Sequence, residues 1–273
     1  MNCINSLYRP KFSGGGVVNV PPVISDLKVY MTFENVYASN GSPYVSGTQY
    51  IGNIVDGSVS STQTYTPYGT MSLSGSVFKW GAKSASNNGV WRNANSYTFP
   101  ENTGLSQSYW IRITSQSTAY SGGAGWGATD PAQSNEIANL ALRYFGSGSG
   151  NLYAPYNFNI AVDTIAAQTL GNSTNTGVGN LSTNTWYHVV WTISPAAYAA
   201  TATHKIYLNG SLIYTNAALK YPKSLARVFN DIGGFANNGG MINHLDNFRF
   251  YEKELSQSEV TDIYTNLDVN GLK

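Results

Sequence analysis

The sequence predicts an all-β protein, an antiparallel jelly-roll β-sandwich closed by one short C-terminal helix. Three observations carry the prediction. Apolar residues recur with period two in several segments, Gly, Asn and Ser fill the stretches between them, and a convincing helical period surfaces only once, near the end. The chain has 273 residues, a length that one large β domain accommodates better than two small ones.

In chain order, residues 1–25 read as a separate arm. Ser13-Gly14-Gly15-Gly16 is a flexible hinge and Pro21-Pro22 fixes an extended backbone beyond it. Leu7, Tyr8, Arg9, Pro10, Lys11 and Phe12 stand ahead of that hinge, which suits an arm that docks on a larger assembly while the domain, residues 26–273, stands off it. In Leu27-Lys28-Val29-Tyr30-Met31-Thr32-Phe33 the alternate apolar residues share one face, so a half-buried strand is expected. Further strands are expected at 109–113, 186–193 and 245–251. Asn209-Gly210 supplies the two positive φ values of a type I′ turn, so 206–208 and 211–214 form a hairpin with Tyr207 opposite Leu212 and Ile206 opposite Ile213. Ala132 to Tyr144 fits a helix, although Leu140 to Tyr144 could equally extend as a strand. Ser256 and Glu259 then form a capping box, Leu255 and Val260 a hydrophobic staple, and Val260, Ile263, Tyr264 and Leu267 one apolar helix stripe.

Composition excludes several classes of function. Fifteen Lys and Arg against fourteen Asp and Glu give a net charge of +1 with no basic run, so nucleic-acid binding has no electrostatic footing. Only 11% of residues are charged, against about 25% in an average soluble protein, which leaves the polar work to Asn, Ser, Thr and 20 Tyr. No apolar stretch approaches the roughly 20 residues that span a bilayer, and Met1 to Pro10 lack the apolar core of a signal peptide. The lone Cys3 excludes an internal disulfide, a CxxC pair and a thiolate zinc site.

Six segments in order resemble the concanavalin A-like lectin/glucanase superfamily, in particular its laminin-G-like (LamG) jelly rolls. They are Leu27 to Glu34, Lys79-Trp80-Gly81-Ala82-Lys83-Ser84-Ala85, Ser108-Tyr109-Trp110-Ile111-Arg112, Trp186 to Trp191, the Ile206 to Gly210 hairpin, and Leu245 to Tyr251 running into Leu255 to Val260. Fold does not decide function here, because the superfamily hosts lectins, glycosidases, lyases and structural modules.

The sites speak more for binding than for chemistry. An endoglucanase of this superfamily would carry Glu-x-Asp-x-x-Glu on one strand face, and that pattern is absent; Glu252 and Glu254 read as solvated surface. Gly146-Ser147-Gly148-Ser149-Gly150 lacks the spacing and flanks of a nucleophile elbow. His188, His204 and His244 are scattered, and His188 reads as a hydrogen-bonded core residue. By strand alternation Asp246 shares a face with Phe248 and Phe250, where a carboxylate needs a partner. Backbone amides or Ser and Tyr hydroxyls could supply it. The LamG resemblance implies instead a structural Ca²⁺ held by Asp246 and Glu34.

Glycan binding asks for exposed aromatic faces with amides and hydroxyls beside them. Trp126, in the glycine-rich loop that Tyr120 opens, is one expected contact, and Trp91-Arg92-Asn93 and Asn237-Asn238-Gly239-Gly240 are similar loop candidates. Tyr153 and Tyr156 are expected to pack in the core. Together these features predict a non-enzymatic structural or glycan-binding, adhesin-like module that would take glycan or host-surface carbohydrate, is joined to other structural proteins through its arm, and stands on a virion, a phage or another extracellular-facing assembly. The alternative is a polysaccharide-active glycosidase or lyase, the latter using Tyr and His as acid and base.

Overall fold

The computed structural model of the chain describes residues 26–31, 66–74, 84–93, 96–115, 121–127, 139–146, 156–164, 172–175, 181–224, 226–227, 229–232 and 242–270. The strands among them are β1 (Leu27–Met31), β2 (Thr66–Ser74), β3 (Ser84–Asn93), β4 (Leu105–Ser115), β5 (Ser121–Gly127), β6 (Asn139–Gly146) and β7 (Tyr156–Thr164). They continue with β8 (Asn172–Asn175), β9 (Trp186–Ile193), β10 (Thr201–Leu208), β11 (Ser211–Lys220), β12 (Phe229–Ile232) and β13 (Ile242–Tyr251), and the helix α1 spans Gln257–Asn270. The strands pair antiparallel in the order β11-β10-β9-β4-β13-β3-β12-β5-β6-β7-β8, with β1 added to β13 and β2 to β3.

Alternation along these strands builds the main core. Tyr109, Ile111 and Ile113 of β4, Val189, Trp191 and Ile193 of β9, and Leu245, Phe248 and Phe250 of β13 are buried in one cluster. Ile232 of β12 belongs to that same cluster although β12 lies beyond β3 in the ladder. The ladder therefore folds back so that two layers share an apolar interior, which is the β-sandwich the period-two pattern calls for. Edge-to-face contacts among Tyr97, Phe99 and Phe250, with ring centroids 5.2 to 6.0 Å apart, close one end of it.

The opposite face of β4, β9 and β13 is covered by α1. Leu255, Val260 and Ile263 join Leu27, Val190, Tyr207 and Tyr251 in a second, smaller apolar cluster. The helix starts as its sequence requires: the Ser256 hydroxyl accepts the Glu259 amide at 3.3 Å, and Glu259 Oε2 accepts the Ser256 amide at 2.8 Å. Both staple residues, Leu255 and Val260, are buried.

Several expectations are corrected. Asn209 and Gly210 do adopt φ of 49° and 80°, and Tyr207 faces Leu212, but a bulge then places Ile206 opposite Tyr214 and leaves Ile213 unmatched. Of the two readings of the stretch up to Tyr144, the strand holds: Asn139 to Tyr144 belongs to β6, which pairs with β5 and β7 on its two edges, while residues 132–138 lie outside the described residues. The stretch around Trp126 is strand β5 rather than a loop, and Trp91-Arg92-Asn93 ends β3. In both cases neighbouring strands saturate backbone groups that glycine-rich or Asn-rich sequence would otherwise leave to turns.

Candidate functional site

Of the expected glycan contacts, Trp126, Trp91 and Asn93 fall on paired strands, while Tyr120, Asn237 and Asn238 lie outside the described residues. The β12 register draws three strands together: Asn230 faces Asn93 on one side and Trp126 on the other, and Ile232 faces Trp91 and Ala124. Ile232 itself is buried in the main core. The arm, Tyr153 and Glu34 also lie outside the described residues, and Tyr156 opens β7.

Asp246 does not share a face with Phe248 and Phe250. Asn247 takes φ 48°, the pairing with β4 slips between Asp246 and Arg249, and Asp246 stands opposite Trp110. Trp110 stacks on Tyr264 of α1 at 5.7 Å, whereas Phe248 stacks on Tyr109 in the interior. The bulge has moved the carboxylate from the sandwich interior to the layer beneath the helix, beside the buried Arg249 on the same face. Of the two expected calcium ligands only Asp246 lies among the described residues, since Glu34 falls outside them.

Beneath the helix lies a polar layer centred on His188. Its Nε2 is 2.9 Å from the Ser108 hydroxyl, and its ring leans on Trp110 at 5.2 Å and stacks on Tyr264 at 5.7 Å, the three rings meeting in a triangle. The ring is 1% exposed. Burial, and secondarily the Arg249 guanidinium, hold its pKa at about 3, so it stays neutral; an N–H on Nε2 can donate to Ser108, and Nδ1 has no partner among the described residues. A Ser-His contact sealed from solvent cannot reach a substrate, and the pair is structural. The backbone of His188 also fastens the hairpin tip: its N–H donates to Asn209 Oδ1 at 2.9 Å and its carbonyl accepts the Asn209 N–H at 2.8 Å.

That fastening shapes a notch on the outer surface, a shallow cavity of about 480 Å³ between the Asn209–Gly210 turn and α1. Gly210 is required twice here, by its positive φ and because a Cβ would lie 2.9 Å from the Tyr264 ring. Gln257 ties turn to helix, donating Nε2 to the Gly210 carbonyl at 2.7 Å and to the Thr261 hydroxyl at 3.1 Å. Leu212, 47% exposed, is the large apolar side chain left most open among the described residues, and it lines this notch together with Tyr264. The hairpin and helix were legible in the sequence, but their meeting was not, since 47 residues separate Gly210 from Gln257.

A family model for the concanavalin A-like lectin/glucanase superfamily, Laminin_G_3, matches residues 84–261, more than half of the chain. The chain belongs to the concanavalin A-like lectin/glucanase superfamily. This superfamily member superposes on domain 4 of AbnA, a GH43 extracellular arabinanase from Geobacillus stearothermophilus solved with arabinotriose, at TM-score 0.54 and 18% identity; the match covers 88% of this chain and 98% of that one. It also superposes on Trypanosoma rangeli sialidase in complex with 2,3-difluorosialic acid at TM-score 0.52 and 13% identity, covering 93% of this chain and 35% of the sialidase. The binding domain of Paraclostridial Mosquitocidal Protein 1 matches at TM-score 0.51 and 13% identity over 89% of this chain and 52% of that domain. At these identities the likeness is one of fold, shared by binding domains and glycosidases alike. No curated protein matches the chain in sequence. No helix among the described residues is long and apolar enough to cross a membrane.

Proposed function

We propose that this chain is a carbohydrate-binding module that retains sugar without transforming it, joined to a larger assembly such as a virion or phage surface. The observation that carries the passive half of this reading is how five carboxylates among the described residues are used. Glu252 pairs with Lys28 at 2.9 Å and accepts the Tyr97 hydroxyl at 2.6 Å, Glu254 pairs with Lys205 at 2.8 Å, and Glu259 is shared by Lys253 and the helix cap. Asp231 and Asp246 are buried. Glycoside hydrolysis needs two carboxyl groups roughly 5 to 10 Å apart across an open cleft, and these residues are committed to the fold instead.

The carbohydrate half is supported by superfamily membership and by the AbnA domain, which was solved with arabinotriose and is itself one domain of a larger protein. A near-neutral composition rich in Asn, Ser, Thr and Tyr supplies hydroxyl and amide groups suited to sugar. The arm, with its apolar and basic residues ahead of a glycine hinge, supplies the attachment. The test is a glycan array probed with the full chain, run beside reducing-sugar and unsaturated-uronate assays on the polysaccharides it retains. Retention without product is expected. Catalytic release of product would convert the reading to an enzyme. Deletion of residues 1–25 is expected to leave sugar retention intact while releasing the module from its assembly.

A further inference from the structure

We propose that the notch between the Asn209–Gly210 turn and α1 is a subsite for a single neutral sugar residue, and this rests on the carbohydrate-binding reading above. The notch volume, about 480 Å³, falls within the range of about 300 to 1,000 Å³ for small-molecule sites. Its chemistry is mixed in the way a sugar ring is mixed. Leu212 and Tyr264 offer apolar surface to the C–H face of a ring, and hydroxyls and an amide stand around them.

Hydrogen-bonding capacity remains after the internal bonds are counted. Gln257 is held through Nε2 by the Gly210 carbonyl and the Thr261 hydroxyl, which leaves its Oε1 as a fixed acceptor. Thr265 donates its hydroxyl to the Thr261 carbonyl at 2.8 Å and keeps acceptor lone pairs. The exposed Ser211 hydroxyl has no hydrogen-bond partner among the described residues and can both donate and accept. The site is preorganised as well, because His188 anchors the turn wall through its backbone and the helix wall through its ring stacked on Tyr264.

The lining selects against charge. None of the lining side chains is ionisable near neutral pH, so an anionic or cationic ligand would lose hydration without gaining a countercharge. The positive end of α1, which could attract an anion, already holds Glu259 in its capping box. A neutral hexose or pentose therefore suits the notch, and a sialylated or sulfated sugar does not.

The experiment is a backbone-amide NMR titration of the full chain with methyl β-glucoside, methyl β-galactoside and arabinotriose, with N-acetylneuraminate as the charged comparator. Shifts centred on residues 209–212 and 257–265 with at least one neutral sugar, and their absence with N-acetylneuraminate, are expected. Leu212→Ala and Ser211→Ala, both at exposed positions, should each weaken that neutral sugar about tenfold while leaving the rest of the spectrum in place. Neutral sugars that shift only other residues, or N-acetylneuraminate binding in the notch as well as they do, would overturn the subsite. A positive glycan array with a silent notch removes this proposal and keeps the carbohydrate-binding function. Silence in both experiments removes both.

Discussion

Toward the sandwich interior, β4 and β9 present Tyr109, Ile111, Ile113, Val189 and Trp191; toward α1 the same strands present Ser108, Trp110, His188 and Thr192. Burial is nearly complete on both faces, so water exclusion does not distinguish them. The difference lies in how polar atoms are satisfied. On the interior side His204 is fully bonded: Trp191 Nε1 donates to its Nδ1 at 3.3 Å, and its Nε2 donates to the Lys220 carbonyl at 3.0 Å. On the helix side His188 Nδ1 and Thr192 Oγ1 make no hydrogen bond among the described residues, and each such buried atom costs about 1–3 kcal/mol. The interior is not perfect either, since Gln107 Oε1 is also unpartnered. The lesson is that one layer is held by packed volume and the other by a helix laid over polar groups that it satisfies only in part.

The largest effect is expected from emptying the interior. Trp191→Ala should cost about 3–5 kcal/mol of global stability, read as a lower denaturant midpoint with an unchanged slope. Ile263→Ala on the helix side should cost about 2–5 kcal/mol, and hydrogen exchange should place the loss in α1 and the 209–212 turn before the interior strands. Equal deprotection of both layers would erase the distinction between them.

Acid should sharpen the comparison. His188 is held at about 3, and His204 and His244 at about 4, by burial in each case, with Arg249 adding to the effect at His188 and Arg112 at His244. These values lie below the ordinary 6.5, so the unfolded chain takes up protons first. Stability is then complete above pH 6.5 and falls as pH drops toward 3, by about 1–2 kcal/mol for each histidine between pH 7 and 5. His188→Gln should flatten the stability profile in that window, with parallel profiles for variant and parent as the contrary result. The smallest effect expected is from Ser256→Ala, about 1 kcal/mol from the lost helix cap, confined to exchange in the first turn of α1.

How much was legible follows from these particular elements. Strand β9 emerged from its sequence with both ends correct, and the Asn209-Gly210 turn and the Ser256 cap were visible because the residues that make them are neighbours in the chain. Trp126 and Asn93 were misplaced in loops because Gly and Asn around them signal turns, while the ladder through β12 recruits them into strands. The notch was out of reach, since it joins two well-read elements by a contact that no local pattern announces.

By itself, then, the sequence determined the strand at 186–193, the turn at Asn209-Gly210 and the start of the helix at Ser256, since each of these is settled by φ preferences and hydrogen bonds a few residues long. Only the tertiary structure decided which way Asp246 faces. The positive φ of Asn247 and its slipped pairing reverse the alternation, turning the carboxylate from the aromatic interior to the layer under α1. A period of two fixes which residues share a face only while the register is unbroken, and whether a bulge breaks it depends on the partner strand.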